Sequence, residues 1–260
     1  MKKILLVGIG PARCMSTWFV EELTKLENIY AMPRKELDML DKKNFKTDEY
    51  YKLFLSKKYD LFIDYSVGYT LSLKTVIKNS KLISKKYGIK IKFLFLYRDP
   101  IHRFNSHLYF YHYRNNISLE SIPYNERSLL LKSSLYNLNL ENIEIDDNFI
   151  FINFIDENFE KNLQSLKKFL KIEKLILNKE KIVGDFYEPK FYLIEKIRQK
   201  IFNIFAKYNL DFLIKLLKIS KIPSFIKSIN NKKETKKFIL KKNEIKMIKT
   251  DYYKFIKLIR

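Results

Sequence analysis

Four short apolar runs along the chain have the length and composition of buried β-strands. They occupy residues 4–9, 61–64, 91–97 and 149–154, and they are rich in β-branched and aromatic side chains. Segments long enough to form a helix separate each run from the next. Short apolar strands that alternate with helices in this way are typical of βαβ units in a mostly parallel sheet.

Between and after these runs, apolar residues recur every three or four positions, which is the period of an α-helix. The predicted helices are residues 16–25, 70–87, 101–114, 126–139, 158–170, 191–217 and 234–259. Pro223 interrupts the pattern between the last two, and no repeat or linker is visible. We therefore predict one α/β domain over residues 1–260, in which residues 191–260 form a basic, helical C-terminal part.

The composition is that of a globular protein. Hydrophobic residues make up 47% of the chain, including 21 Phe and 18 Tyr, which excludes global disorder. No apolar run approaches the roughly 20 residues that a membrane-spanning helix needs. The first apolar run has no small-residue cleavage site after it, so we expect no signal peptide and a cytoplasmic location. Cys14 is the one cysteine, so no disulfide can form within the chain.

The net charge of +22 is distributed unevenly. From residue 171 to residue 260 there are 24 Lys and Arg against nine Asp and Glu. Such a surface favours an anionic partner, which can be a nucleotide, an acidic glycan, a nucleic acid or an anionic membrane. The alternative is that these lysines form an ordinary solvated face.

The first apolar run leads into the sequence GIGPARCMST, residues 8–17, which is followed by a predicted helix. The free N–H groups and partial positive charge of a helix N-terminus bind phosphate. The loop nevertheless lacks the Gly-Lys of the Walker pattern and the third glycine of the Rossmann pattern. Two interpretations remain open: an anion-binding loop using Arg13, Ser16 and Thr17, or a tight turn whose helix is capped by Ser16.

A second stretch, YRDPIHRFNS at residues 97–106, follows the third apolar run. Arg98 stands at the end of the predicted strand, and Arg103 and Ser106 lie on one face of the next helix. Ligands of open α/β sheets bind outside the carboxyl ends of the strands. We therefore expect Arg98 and Ser106 to share a crevice with Arg13, Ser16 and Thr17, so that the two groups together form two phosphate-sized anion sites.

These stretches resemble the sulfotransferases that use 3′-phosphoadenosine 5′-phosphosulfate (PAPS). Residues 12–19, ARCMSTWF, resemble the family's P-[KR]-[ST]-G-T-T-x-[LW], and residues 98–108, RDPIHRFNSHL, resemble R-[ND]-P-x-x-R-x-x-S-x-[YW]. Residues 32–41, MPRKELDMLD, are similar to P-x-x-K-E-x-H-F-F-D, and residues 63–69, IDYSVGY, to E-x-[ST]-P-x-Y. Residues 151–157 and the helix after them are similar to the family's Y-E-D-L strand and L-x-x-F-L helix, and residues 183–190 resemble its basic loop. All of these stretches occur in the family's order.

The resemblance implies a three-layer fold like that of P-loop NTPases, with PAPS as sulfuryl donor and no metal. The acceptor is then a hydroxyl or amine compound, and a carbohydrate is our expectation. The implied donor-binding residues are Arg13, Cys14, Met15, Ser16, Thr17, Trp18, Arg98, Ser106, Tyr187 and Lys190. Lys35 and Arg13 are implied to stabilise the bridging oxygen. Glu36 is the implied base, with Asp38, Asp41 and Asp64 as alternatives.

The loop departs from the family pattern at two positions. Met15 replaces a glycine, and Cys14 replaces a hydroxyl residue. Two other functions therefore stay open. One is a P-loop kinase, against which the missing Gly-Lys counts. The other is a non-catalytic protein that binds nucleic acid or acidic membrane through the basic C-terminal third, although the resemblance predicts no specific nucleic acid partner. We interpret His102, His107 and His112 as partly buried packing residues.

Overall fold

The computed structural model describes residues 3–31, 35–115, 117–155, 158–178 and 240–259, together with a few single positions between 197 and 220. In chain order the elements are β1 (Ile4–Gly8), α1 (Ser16–Leu23), β2 (Ile29–Ala31), α2 (Thr47–Tyr50), a π-helical turn (Tyr51–Leu55), β3 (Leu61–Tyr65), a 3-10 turn (Val67–Leu71), α3 (Leu73–Tyr87), β4 (Lys90–Leu96), α4 (Pro100–Asn115), α5 (Tyr124–Lys132), α6 (Tyr136–Leu140), β5 (Phe149–Ile152), α7 (Phe159–Leu170) and α8 (Lys242–Leu258).

The five strands form one sheet in the order β2-β3-β1-β4-β5, and every pair is parallel. β1 lies in the centre, where Val7 stands opposite Asp64 of β3 and Phe93 of β4. The chain moves to one side of β1 for β2 and β3 and then crosses to the other side for β4. The loops after β1 and β4 therefore meet at the carboxyl edge of the sheet, at the place where such folds bind ligands.

Side chains alternate across the sheet and build a core on each face. Leu5 and Val7 of β1 join the core that α3, α6 and α8 cover, whereas Leu6 joins the core that α1 and α7 cover. Because most strand residues are buried, the strands are mostly apolar, and Asp64 of β3 and Lys92 of β4 are buried exceptions. The predicted three-layer α/β class, with a mostly parallel central sheet, is confirmed.

Several predicted boundaries were wrong. The strand β2 and the helix α2 were missed because they are short, with three and four residues respectively. The helix predicted over 126–139 is two helices, since residues 133–135 turn between them and Ser134 accepts a hydrogen bond from Arg103. α3 begins at Leu73 and not at residue 70, after the 3-10 turn.

The C-terminal helix begins later than predicted. α8 starts at Lys242 because the Glu244 side chain accepts the backbone N–H of Lys241 at 2.8 Å, which caps the helix there. The helix predicted over 191–217 lies outside the described residues except at single positions. None of the described helices is long and apolar enough to cross a membrane.

By its internal contacts the chain divides into two compact units. One consists of Met1–Val183 with Ile239–Arg260 and contains the whole sheet, and the other is Gly184–Phe238. That all of this forms a single domain remains a prediction.

Two buried carboxylates of α8 connect this helix to α5 and α6 within the first unit. Glu244 forms an ion pair with Arg127 of α5, in which Nε and Oε1 are 2.6 Å apart. Asp251 accepts the backbone N–H groups of Asn137 and Leu138 at the start of α6, both at 2.9 Å. α8 is therefore packed into the first unit, which contains the sheet.

Gly10 allows the loop after β1 to lie directly against β4. A Cβ on this residue would stand 2.4 Å from the carbonyl oxygen of Leu96 and 2.6 Å from its backbone nitrogen. Neither atom can move without disturbing the sheet, so only glycine fits.

Gly10→Ala should lower the free energy of unfolding by about 3 kcal/mol, because the added methyl group overpacks a rigid backbone contact. Gly68→Ala is the matched control, since a Cβ there would meet only Asp38 Oδ1, at 3.8 Å. Its effect should stay within ~0.5 kcal/mol. Urea denaturation measures both, and equal stability of the two variants would contradict the contact.

Candidate functional site

The loop between β1 and α1 ends in a left-handed residue. Met15 has φ 67° and ψ 18° and is the N-cap of α1, with no side-chain capping hydrogen bond. The expectation that Ser16 caps the helix was therefore wrong, because Ser16 is already its first residue. The first helical hydrogen bond runs from the Phe19 N–H to the Met15 carbonyl, at 3.0 Å. The earlier N–H groups of α1 are left without helical partners, as at any helix N-terminus.

The conformation of Met15 explains why glycine suits this position. A left-handed backbone costs a residue with a Cβ about 1–2 kcal/mol, and it costs glycine almost nothing. Arg13 also has a positive φ, of 70°. The chain therefore adopts a glycine-like loop without glycine at either position.

Arg103 holds this loop in place. Its guanidinium is 0% exposed and donates to the carbonyl of Ala12 at 3.1 Å, to the carbonyl of Leu130 at 2.7 Å and to Ser134 Oγ at 2.8 Å. Sequence reasoning assigned no role to Arg103, although its place in RDPIHRFNS was the available signal. It connects the first loop to α5.

The structure brings together Arg13, Arg98 and Ser106. Arg13 Nε donates to Ser106 Oγ at 3.2 Å, and Arg98 Nη1 lies 3.5 Å from the Arg13 carbonyl oxygen. Arg98 Nε is buried and has no hydrogen-bond partner among the described residues. The loops after β1 and β4 thus place two guanidinium groups and a hydroxyl at one point of the carboxyl edge.

No carboxylate in the described part of the chain pairs with Arg13, Arg98 or Arg103. Burial lowers the pKa of Arg13, and the charges of Arg98 and Arg103 lower it further. Burial also lowers the pKa of Arg103, and Arg98 acts in the same direction. Like charges held together in this way are electrostatically unfavourable until an anion joins them.

Lys35 and Glu36 stand on the other side of the same loop. Lys35 Nζ donates to Ser16 Oγ at 3.0 Å and lies 2.5 Å from Glu36 Oε1. The second carboxylate oxygen of Glu36 accepts the Val67 N–H at 2.7 Å. A cation, a hydroxyl and a carboxylate therefore meet at the start of α1, beside the arginine cluster.

The remaining loop residues lie as follows. Cys14 is buried, and burial raises the pKa of its thiol to about 11, so it carries no thiolate at neutral pH. Thr17 is exposed. Trp18 Nε1 donates to the Asn178 carbonyl at 3.2 Å, and its ring contacts Phe154. Tyr187 and Lys190 lie outside the described residues.

The four candidate bases differ in access. Glu36 retains 33% of its side-chain exposure, whereas Asp64 is 0% exposed and cannot touch an acceptor. Asp41 has one carboxylate oxygen buried without a hydrogen-bond partner among the described residues. Asp38 is half-buried. Of these, only Glu36 pairs with Lys35.

The histidines divide into two kinds. His102 is exposed and contacts Asp99 Oδ1 at 2.8 Å, so its expected partial burial was wrong. His107 and His112 are partly buried. Burial, together with Arg103 and Arg13, lowers the pKa of His107 well below its usual range, so it is neutral. No three His, Cys, Asp or Glu side chains group as metal ligands within the described ranges.

No family model matches the sequence, and no curated protein matches it. Among solved structures, a sulfotransferase from Alicyclobacillus acidocaldarius superposes with a TM-score of 0.51 at 17% identity, over 83% of this chain and 96% of that one. The chain has a sulfotransferase fold. At this identity the likeness shows the fold alone.

Two further structures match with lower scores. The sulfotransferase domain of the Synechococcus PCC 7002 olefin synthase has a TM-score of 0.46 at 16% identity, over 71% of this chain and 82% of that one. Mouse sulfotransferase SULT7A1 complexed with PAP has a TM-score of 0.41 at 18% identity, over 69% of this chain and 61% of that one.

Met15→Gly and Met15→Ala both remove the side chain and differ only in backbone freedom. Because the position is left-handed, the glycine variant should be more stable than the alanine variant by about 1 kcal/mol in urea denaturation. At Thr17, which is exposed and helical, the alanine variant should instead be more stable than the glycine variant, by ~0.5–1 kcal/mol. The same order at both positions would contradict the conformation of Met15.

Proposed function

We propose that the chain is a sulfotransferase that transfers a sulfuryl group from PAPS to a hydroxyl or amine acceptor, with a carbohydrate as the expected acceptor. The observation that carries the proposal is the cluster of Arg13, Arg98 and Arg103, which lacks a carboxylate among the described residues and lies beside the start of α1. The sulfotransferase fold and the resemblance of two loop sequences support the same function.

The residues present fit a bisphosphate nucleotide. Arg98, with its unpartnered Nε, and Ser106 would hold the 3′-phosphate. Arg13, Ser16 and Thr17 would hold the 5′-phosphosulfate together with the free N–H groups of α1. Cys14, Met15 and Trp18 complete this loop, and we propose Tyr187 and Lys190 as further nucleotide-binding residues. When bound, PAPS supplies the sulfuryl group.

Lys35 and Arg13 would stabilise the negative charge that grows on the bridging oxygen. In-line transfer of a planar group depends on positioning and on charge stabilisation, and a sulfuryl group carries less charge than a phosphoryl group. The Lys35 ammonium group donates a hydrogen bond to Ser16, so it lies at the N-terminus of α1. We propose that these cations suffice and that no metal takes part.

Glu36 would accept the proton of the acceptor. Its carboxylate is held by Lys35 and by the Val67 N–H, and one third of the side chain is open to solvent. A base needs this combination of fixed geometry and access to the reacting hydroxyl. Asp38 and Asp41 are the alternatives, and Asp64 has no surface for the role.

The exposed lysines of α8 suggest an additional partner. Six of them, Lys241, Lys242, Lys246, Lys249, Lys254 and Lys257, lie at or along the outer face of this helix. We propose that this basic part attracts an acidic glycan acceptor or an anionic membrane surface, from a cytoplasmic location. A non-catalytic anion-binding protein on the same fold is the second candidate function, because the same lysines would serve it.

Arg98→Ala should weaken the binding of 3′-phosphoadenosine 5′-phosphate about 10- to 100-fold in calorimetry without magnesium, since one charge-assisted contact is lost. Arg114→Ala is the matched control, because Arg114 is an exposed arginine of α4. It should bind the nucleotide as the wild type does.

Absence of nucleotide binding by the folded wild-type protein would overturn the proposed function. Equal affinity of the Arg98→Ala variant and the wild type would show that the 3′-phosphate site is misplaced. Steeply salt-dependent binding to DNA or RNA that survives Arg98→Ala would favour the non-catalytic candidate.

A further inference from the structure

The segment of residues 35–41 carries Lys35 and Glu36, yet it has neither helix nor strand hydrogen bonds to hold it. Three successive backbone N–H groups are satisfied by side chains instead. The Asp38 N–H donates to Ser66 Oγ at 3.1 Å, and the N–H groups of Met39 and Leu40 both donate to the Tyr69 hydroxyl at 3.2 Å. The position of the segment therefore depends on side chains at and after the end of β3.

Asp64 fixes the orientation of the Tyr69 hydroxyl. That hydroxyl has one proton and donates it to Asp64 Oδ2 at 3.0 Å. With the proton directed to Asp64, the lone pairs of the oxygen face the two N–H groups that they accept. Tyr50 donates to the same carboxylate oxygen at 2.8 Å and holds Asp64 in place.

Keeping Asp64 in the core has an energetic cost. It is 0% exposed, and its second oxygen, Oδ1, is buried with no hydrogen-bond partner in the described part of the chain. A buried carboxyl with an unsatisfied oxygen is destabilising, and an apolar residue would pack here at lower cost. Glu36, which this segment carries, is the proposed base.

We propose that Asp64 is a positioning residue: through Tyr69 it fixes residues 35–41, and so it holds Lys35 and Glu36 beside Ser16. That the segment is fixed by Asp64 is independent of any reaction. That the fixed side chains serve sulfuryl transfer rests on the proposed function.

Burial raises the pKa of Asp64 to about 7, where the hydroxyls of Tyr50 and Tyr69 act against the rise and the charges of Asp38 and Glu36 add to it. These four groups face Asp64 from α2, from the 3-10 turn and from the segment itself. From β1, the apolar Val7 stands opposite in register.

Ionised Asp64 is the stronger acceptor, because a hydrogen bond to a charged acceptor is roughly twice as strong as one to a neutral group. Asp64→Asn keeps the shape of the side chain and removes the charge, so it should weaken the hydrogen bond from the Tyr69 hydroxyl.

Amide hydrogen exchange of the full chain without nucleotide tests the positioning. Asp64→Asn should speed the exchange of Met39 and Leu40 about tenfold, while the amides of β1 and β4 keep their protection and report an intact fold.

Asp251→Asn is the matched control, since Asp251 is also a buried carboxylate that accepts two backbone N–H groups, those of Asn137 and Leu138. It should leave Met39 and Leu40 unchanged. If Asp64→Asn fails to fold, Tyr69→Phe removes the same link and should speed the same two amides. Unchanged protection of both amides in a folded variant of either kind would overturn the proposal.

A double-mutant cycle separates positioning from general stability. Lys35→Ala should weaken 3′-phosphoadenosine 5′-phosphate binding, and Asp64→Asn should weaken it several-fold in the wild type but not further in the Lys35→Ala background. Additive losses would overturn the assignment to Lys35. A wild type that binds no nucleotide would defeat the proposed function, and the exchange data would still decide the positioning.

Discussion

The site depends on three positive charges that share one edge of the sheet. Arg13, Arg98 and Arg103 meet where the loops after β1 and β4 come together, and none of them pairs with a carboxylate among the described residues. Burial and mutual repulsion lower the pKa values of Arg13 and Arg103. Such an arrangement costs stability unless an anion occupies it. The proposed function accounts for this arrangement, because the phosphate groups of PAPS would supply the missing negative charge.

Two groups of side chains lie next to this arginine cluster. The fully buried Arg103 fixes the first loop through the Ala12 carbonyl, and the left-handed Met15 turns the chain into α1. On the far side of the loop, Lys35 reaches Ser16 and carries Glu36 with it. The arginine cluster, the start of α1 and the Glu36 carboxylate therefore lie close together at the carboxyl edge of the sheet.

The strands and helices that bury long apolar stretches were predicted from the sequence. The four longer strands are mostly apolar and were found, whereas β2 has only three residues and was missed. The place of Arg98 and Ser106 within RDPIHRFNS predicted that they lie near the first loop, and both contact Arg13. Their role in binding a phosphate stays a prediction. The clamp made by Arg103, the left-handed backbone of Met15 and the link from Asp64 through Tyr69 to residues 35–41 were not found. These depend on dihedral angles and on contacts between residues far apart in the chain, which no local pattern contains.

A crystal structure of the protein with 3′-phosphoadenosine 5′-phosphate tests the central claim most directly. We expect the 3′-phosphate to contact Arg98 and Ser106, and the 5′-phosphate to contact Ser16 and the N–H groups at the start of α1, with Lys35 beside it. A nucleotide bound elsewhere, or the arginine cluster engaged with a carboxylate of the chain itself, would contradict the account.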